Sequence, residues 1–181
     1  SYCGNDSFQT GIGAGGSLYW GIMMPSTMLT GRNALTAVKL YVKQAGTYQL
    51  RVSMGGTSAP QSPLITQTEH FTDADTDSWQ TILLNTPLAI NNTQPLWVTF
   101  YCDDAPYPAT ASAAISDFNG SWVSTDGSTW TSLYAASGST LNYTWMIKCV
   151  TSPNQPALAV SIDGPSTLRN SSRQEAMSRC S

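Results

Sequence analysis

This sequence predicts an all-β fold, with two antiparallel sheets packed as a jelly-roll-like sandwich. Three observations carry that prediction. Apolar residues recur at every second position in several short runs, which is the period of a strand with one buried face. No stretch of ten or more residues shows the three-and-four spacing of an amphipathic helix. Clusters of Gly, Pro, Asn and Asp punctuate the runs, as turns between strands require.

Taken in chain order, the run 35–42 places Val38, Leu40 and Val42 on one face. Tyr48, Leu50, Val52 and Met54 alternate in the same way, as do Leu96, Val98, Phe100 and Cys102. Ser121 to Leu133 reads as a hairpin whose arms turn at Asp126-Gly127, a dipeptide suited to a type I′ turn. Tyr143, Trp145, Ile147 and Cys149 form the apolar face of a late strand. About eight to ten such strands in roughly 150 residues are enough for two packed sheets.

Composition narrows the function classes. Only 10% of the 181 residues are charged, against a typical ~25%, and Ser, Thr, Gly, Asn and Gln are abundant. Such a hydroxyl- and amide-rich surface suits a secreted or cell-surface protein. A net charge of -3 argues against a basic face that tracks phosphates, so no nucleic-acid partner is expected. No apolar run approaches the ~20 residues that span a bilayer, so no membrane insertion is expected. Asn-x-Ser/Thr triplets at Asn5, Asn91, Asn119, Asn142 and Asn170 arise easily in such a composition and carry little weight.

Residues 1–151 are expected to form the sandwich and residues 152–156 (Ser-Pro-Asn-Gln-Pro) a linker. Residues 157–181 read as the truncated start of a following immunoglobulin-like module, or as a tail. On that reading the native protein is a multidomain surface or secreted chain, with covalently linked neighbouring domains.

The opening run Gly11-Ile12-Gly13-Ala14-Gly15-Gly16-Ser17-Leu18-Tyr19-Trp20-Gly21 resembles a known module class. It is similar to the adhesin or haemagglutinin-type β-sandwich domains of Bacteroidetes surface proteins, related to the cleaved-adhesin domains of gingipains. Further pieces follow in order: Gly46-Thr47-Tyr48, Gly55-Gly56-Thr57, Asn85-Thr86-Pro87-Leu88, Leu96-Trp97-Val98, Trp122-Val123-Ser124 and Asn142-Tyr143-Thr144-Trp145. The resemblance spans about residues 1–150. It implies a jelly-roll-like sandwich, a bacterial extracellular location, attachment to a larger protein such as a secreted peptidase, and structural calcium. It supplies no ligand, because fold does not fix function.

Gly11-x-Gly13-x-x-Gly16 satisfies the dinucleotide fingerprint in form, but Tyr19, Trp20 and Ile22 suggest a following strand rather than the helix that pyrophosphate binding needs. Ser124-Thr125-Asp126-Gly127-Ser128-Thr129-Trp130 is similar to a sialidase Asp-box short of one residue, and reads as a hairpin turn capped by an aromatic. His70 is the only histidine, and no Gly-x-Ser-x-Gly elbow occurs. No two carboxylates are obviously paired for acid–base work. An enzyme is not expected.

Two acidic segments are candidates for calcium, which takes hard oxygen ligands. Asp73, Asp75 and Asp77 lie at alternate positions in one loop, and Asp103 and Asp104 follow the Leu96 strand, with Asp117 opposite. Solvated loop carboxylates are the competing reading. Among the tryptophans, Trp145 reads as core, and Trp97 as a second core layer or as surface. Trp122 and Trp130 flank the hairpin and pack cross-strand; alternatively, with Tyr107 and Tyr134, they form a stacking platform for a sugar ring. Cys102 and Cys149 are either buried thiols or a cross-sheet disulfide, and the pairing of Cys3 and Cys180 stays open.

The expected function is a non-catalytic adhesion or binding module whose partner is a host or matrix protein or a glycan. Its contacts are expected in the loops 55–62, 72–78, 103–120 and 134–142, presented on a rigid scaffold. The rivals are a carbohydrate-binding module that targets an attached hydrolase, and a structural accessory domain with no ligand.

Overall fold

In the computed structural model, which describes residues 10–13, 17–112 and 117–153, the chain forms strands over most of its length. In chain order these are β1 (Thr10–Ile12), β2 (Leu18–Met24), β3 (Arg32–Val42), β4 (Gly46–Met54), β5 (Ile65–Phe71), β6 (Ser78–Ala89), β7 (Leu96–Cys102), β8 (Ala109–Ser112), β9 (Trp122–Ser124), β10 (Thr131–Ser132), β11 (Thr144–Trp145) and β12 (Ile147–Pro153). One short helix, α1 (Leu133–Ala136), follows β10. The strands make three antiparallel sheets. A six-stranded sheet has the order β10-β9-β2-β7-β4-β5, a three-stranded sheet is β12-β3-β6, and a small third sheet is β1-β8-β11. The fold is an all-β sandwich.

The alternation in sequence is the cause of the layering. Successive side chains on a strand point to opposite faces, so every second apolar residue enters the space between the sheets. Val38, Leu40 and Val42 from β3 meet Tyr48, Leu50 and Val52 from β4 and Leu96, Val98, Phe100 and Cys102 from β7 in one continuous core, all fully buried. Trp20 stacks on Phe100 with ring centroids 5.8 Å apart and meets Tyr48 edge-on at 5.9 Å. Trp145 is also fully buried, and its indole N–H donates to the Trp122 carbonyl at 2.7 Å.

The structure corrects three local expectations. The late strand is divided. β11 pairs with β8, and β12 pairs with β3. Met146 sits at the crossing, its N–H donating to the Thr110 carbonyl at 2.9 Å and its carbonyl accepting from Tyr41 N–H at 3.1 Å. Second, the predicted contact loop 103–120 contains the buried strand β8, whose small residues Ala109 to Ser112 show no alternation to read. Third, the 121–133 hairpin is not a two-residue turn. β9 and β10 pair Val123 with Thr131 and Trp122 with Ser132, leaving a six-residue loop over 125–130. Gly127 alone in that loop has positive φ, whereas a type I′ turn needs two such residues.

Strand β12 runs to Pro153, so it takes in the first two residues of the predicted linker. The predicted module at 157–181, and Cys3 and Cys180, lie outside the described residues. Cys102 and Cys149 are free thiols.

Candidate binding site

The pleat that fills the core also builds the opposite face of the six-stranded sheet. Register places its outward residues in three rows across the strands. One row is Gln49, Tyr101, Tyr19 and Ser124, the next Arg51, Thr99, Gly21 and Trp122, and the third Ser53, Trp97 and Met23. Gly21 stands in a central strand because a Cβ there would lie 2.5 Å from the Val98 carbonyl and 2.7 Å from Thr99 Cγ2.

Part of this outer face carries a second, smaller core. Met23, Trp97 and Trp130 are buried together, with Tyr19, Ala59 and Trp122 packed around them. Trp97 lies 5.1 Å from Trp122 and 6.0 Å from Trp130 between ring centroids. Two loops cover it. The loop after β4 turns back through Gly55 and Gly56, at φ of +91° and +85°, and a Cβ on Gly56 would fall 1.9 Å from the Ala59 carbonyl oxygen. Trp97 holds this loop down by donating from its indole nitrogen to the Gly56 carbonyl at 2.8 Å.

The other cover is the β9–β10 loop. The Asp126 carboxylate accepts from the backbone N–H groups of Ser128 at 2.8 Å and Thr129 at 2.7 Å, and from the Ser124 hydroxyl at 2.9 Å. Hydrogen bonds from Thr129, Ser128 and Ser124, in that order of effect, hold its carboxyl well below the usual carboxylate range. The loop folds Trp130 inward, where its N–H donates to the Gly127 carbonyl at 3.1 Å and its ring meets Tyr19 edge-on at 6.5 Å.

Between the two covering loops lies an open cleft of about 300 Å³. Tyr19, Arg51, Ser53 and Thr99 form its floor, residues 60–63 one wall, and Gly127, Ser128 and Trp130 the other. The Arg51 guanidinium carbon sits 5.1 Å from the Tyr19 ring centroid and 5.8 Å from that of Tyr101. Its Nε donates to Gln49 Oε1 at 2.6 Å. Two aromatic faces and a neighbouring amide therefore fix the charge in place before any ligand arrives. The cleft holds hydroxyl and amide groups on an aromatic floor, with one cation and no acidic side chain in its lining.

The aromatic residues singled out from the sequence do not form one platform. Trp130 lines the cleft, while Trp122 packs beside it on Trp97. Tyr134 lies against Phe118 at 5.8 Å, and Tyr107 is 56% exposed, with its backbone N–H donating to Gln44 Oε1. Trp122 faces Ser132 across the hairpin, so its partner is Trp97 and not Trp130 directly.

The candidate aspartates are each engaged differently. Asp75 caps the turn Asp73–Asp75, and bonds from the Thr72 backbone and hydroxyl lower its pKa. Asp77 pairs with Lys43. Asp103 accepts from the Tyr101 hydroxyl at 2.9 Å. Asp104 takes Thr47 N–H on both carboxylate oxygens and the Cys102 thiol at 3.1 Å. Burial pushes the Asp104 carboxyl upward, but the Cys102 and Thr47 hydrogen bonds together hold it below the usual range. Asp73 and Asp104 border one polar depression with Lys43. Among the described residues, no three His, Cys, Asp or Glu side chains are grouped to hold a metal.

Compared with known proteins, the chain matches no family model, no curated protein and no solved structure.

Sequence reasoning missed Tyr19, Arg51, Ser53 and Thr99. The available signal was their position between core residues: Arg51 separates Leu50 from Val52, and Thr99 separates Val98 from Phe100. That spacing puts them on the outer face, but nothing in the sequence shows that register aligns them in one patch.

Proposed function

We propose that this chain is a non-catalytic, extracellular binding module of a larger surface or secreted protein, and that it takes a glycan in the cleft over Tyr19 and Arg51. One observation carries this reading: a preformed cleft of about 300 Å³ whose lining combines aromatic rings with hydroxyl, amide and guanidinium groups. A sugar ring presents C–H groups on one face and hydroxyls around its edge. Tyr19 suits the first, and Arg51 and Gln61 suit the second, while the buried Ser53, Thr99 and Trp130 shape the bottom and wall behind them. The aromatic–apolar patch beneath the loops supplies stiffness, so little ordering entropy is lost on binding. The resemblance to adhesin-type sandwich domains points to the same class of role, with contacts made by loops on a rigid scaffold. No catalytic pair is part of this proposal; the module concentrates its parent chain on a glycan-bearing surface.

The test is binding of the purified chain to arrays of glycans and of matrix proteins. Saturable binding to one glycan class is expected, and Ser62→Trp, an exposed substitution that fills the cleft wall, should abolish it. Binding to matrix proteins only, or glycan binding that Ser62→Trp leaves intact, overturns the assignment of the cleft.

A further inference from the structure

The charge in the cleft has no counter-charge among the described residues. Among the described residues, the ion pair of the structure is Lys43 with Asp77, and no carboxylate lies within ion-pair distance of Arg51. The nearby acids are occupied elsewhere. Asp126 is turned into its own loop, accepting from Ser128, Thr129 and Ser124, and Asp103 accepts from the Tyr101 hydroxyl. A half-buried cation held on two aromatic rings, in a chain of net charge -3 with only eight Lys and Arg, is an unusual use of a scarce residue.

The geometry says which atoms are offered. Nε is spent on Gln49, and ring contacts hold the guanidinium plane. The two terminal nitrogens then present a fork of parallel N–H groups, which matches the two oxygens of a carboxylate or of a sulfate ester. The exposed Gln61 in the same lining can bond the remaining oxygens or the neighbouring hydroxyls.

We infer that the glycan is acidic, and that an oxyanion on the sugar docks on the Arg51 guanidinium. This inference rests on the cleft being the glycan site. The role is that of a specificity-determining residue: a neutral sugar leaves the guanidinium unpaired, whereas an acidic sugar neutralises it at the centre of the contact.

The experiment uses the full chain and matched probe pairs in titration calorimetry. Polygalacturonate is set against its methyl ester, sialylated glycans against their asialo forms, and dextran sulfate against dextran. Binding by one acidic member is expected to exceed that of its neutral twin at least tenfold. It should weaken with added salt and fall at least tenfold in Arg51→Gln. Arg51→Lys keeps the charge without the fork and should recover only part of the loss. Preference for the carboxylate pairs or for the sulfate pair identifies which oxyanion is read. Arg51 lies on the outer face, away from the main core, so circular dichroism and melting of the variant check that it remains folded. Equal binding of the charged and neutral members, or affinity unchanged in Arg51→Gln, overturns the acidic-glycan inference while leaving the glycan reading standing. No binding to any member overturns both.

Discussion

Trp97 and Gly56 are joined across the outer face of the six-stranded sheet by a 2.8 Å hydrogen bond from indole nitrogen to carbonyl oxygen. A fully buried strand residue thereby anchors the loop that walls the cleft. Trp97→Phe keeps a ring in place and deletes that donor. The expected cost is about 1–3 kcal/mol in global stability, from the lost bond and lost packing. Amide hydrogen exchange in residues 55–63 should rise more than in β7, and ligand affinity should fall. Unchanged exchange in that loop would show that other contacts hold it.

Gly21 leaves no space for any side chain, since a Cβ there meets the β7 backbone at 2.5 Å. Gly21→Ala should destabilise the fold by about 1–3 kcal/mol or more, as overpacking does in a closely packed interior. The contrast is Gly31, whose Cβ would meet nothing within 4 Å, although its φ of +75° adds backbone strain. Denaturant melts should rank Gly21→Ala as the worse of the two.

The Asp126 carboxyl is held below its usual range by hydrogen bonds from Thr129, Ser128 and Ser124. Because the folded value lies below the unfolded one of ~3.9, the stabilising contribution is present at neutral pH and is lost as pH falls through the folded value. The melting temperature should therefore drop in strong acid. Asp126→Asn should be less stable at pH 7, and its deficit should shrink steadily as the pH is lowered below about 4. Parallel melting curves at all pH values would remove Asp126 as a source of acid sensitivity.

Cys102 is fully buried, and its thiol donates to Asp104. Burial, followed by that hydrogen bond, pushes its pKa up to about 11. At pH 8 it is thus almost entirely protonated and sterically shielded, so iodoacetamide should leave it unmodified in the native protein. In denaturant it should react fully. Peptide mapping by mass spectrometry distinguishes it from Cys149, and rapid native labelling of Cys102 would contradict the packing described.

Which faces of three central strands enter the main core was legible in the sequence, whereas the second core around Trp97 on the outer face was not. The alternation at Val38, Leu40 and Val42, at Tyr48, Leu50 and Val52, and at Val98, Phe100 and Cys102 reappears residue for residue in the core, because strand pleating obliges every second side chain to share a face. The missing helical spacing likewise indicated an all-β chain, and composition a surface with few charges. Local chemistry was legible up to a point: Asp126-Gly127 marked a turn, yet the pairing of Thr131 with Val123 opened it into a six-residue loop that tucks Trp130 inward. What the tertiary structure decided is register. Tyr19, Arg51 and Thr99 come from three strands separated by up to 80 residues of chain, and only the alignment of β2, β7 and β4 brings them into one cleft. The same long-range pairing placed β8 between β1 and β11 and switched the late strand between sheets at Met146. Burial is a per-residue property that a single strand's periodicity encodes. A site is a relation between strands, fixed by the packing of the whole core, and no local pattern records it.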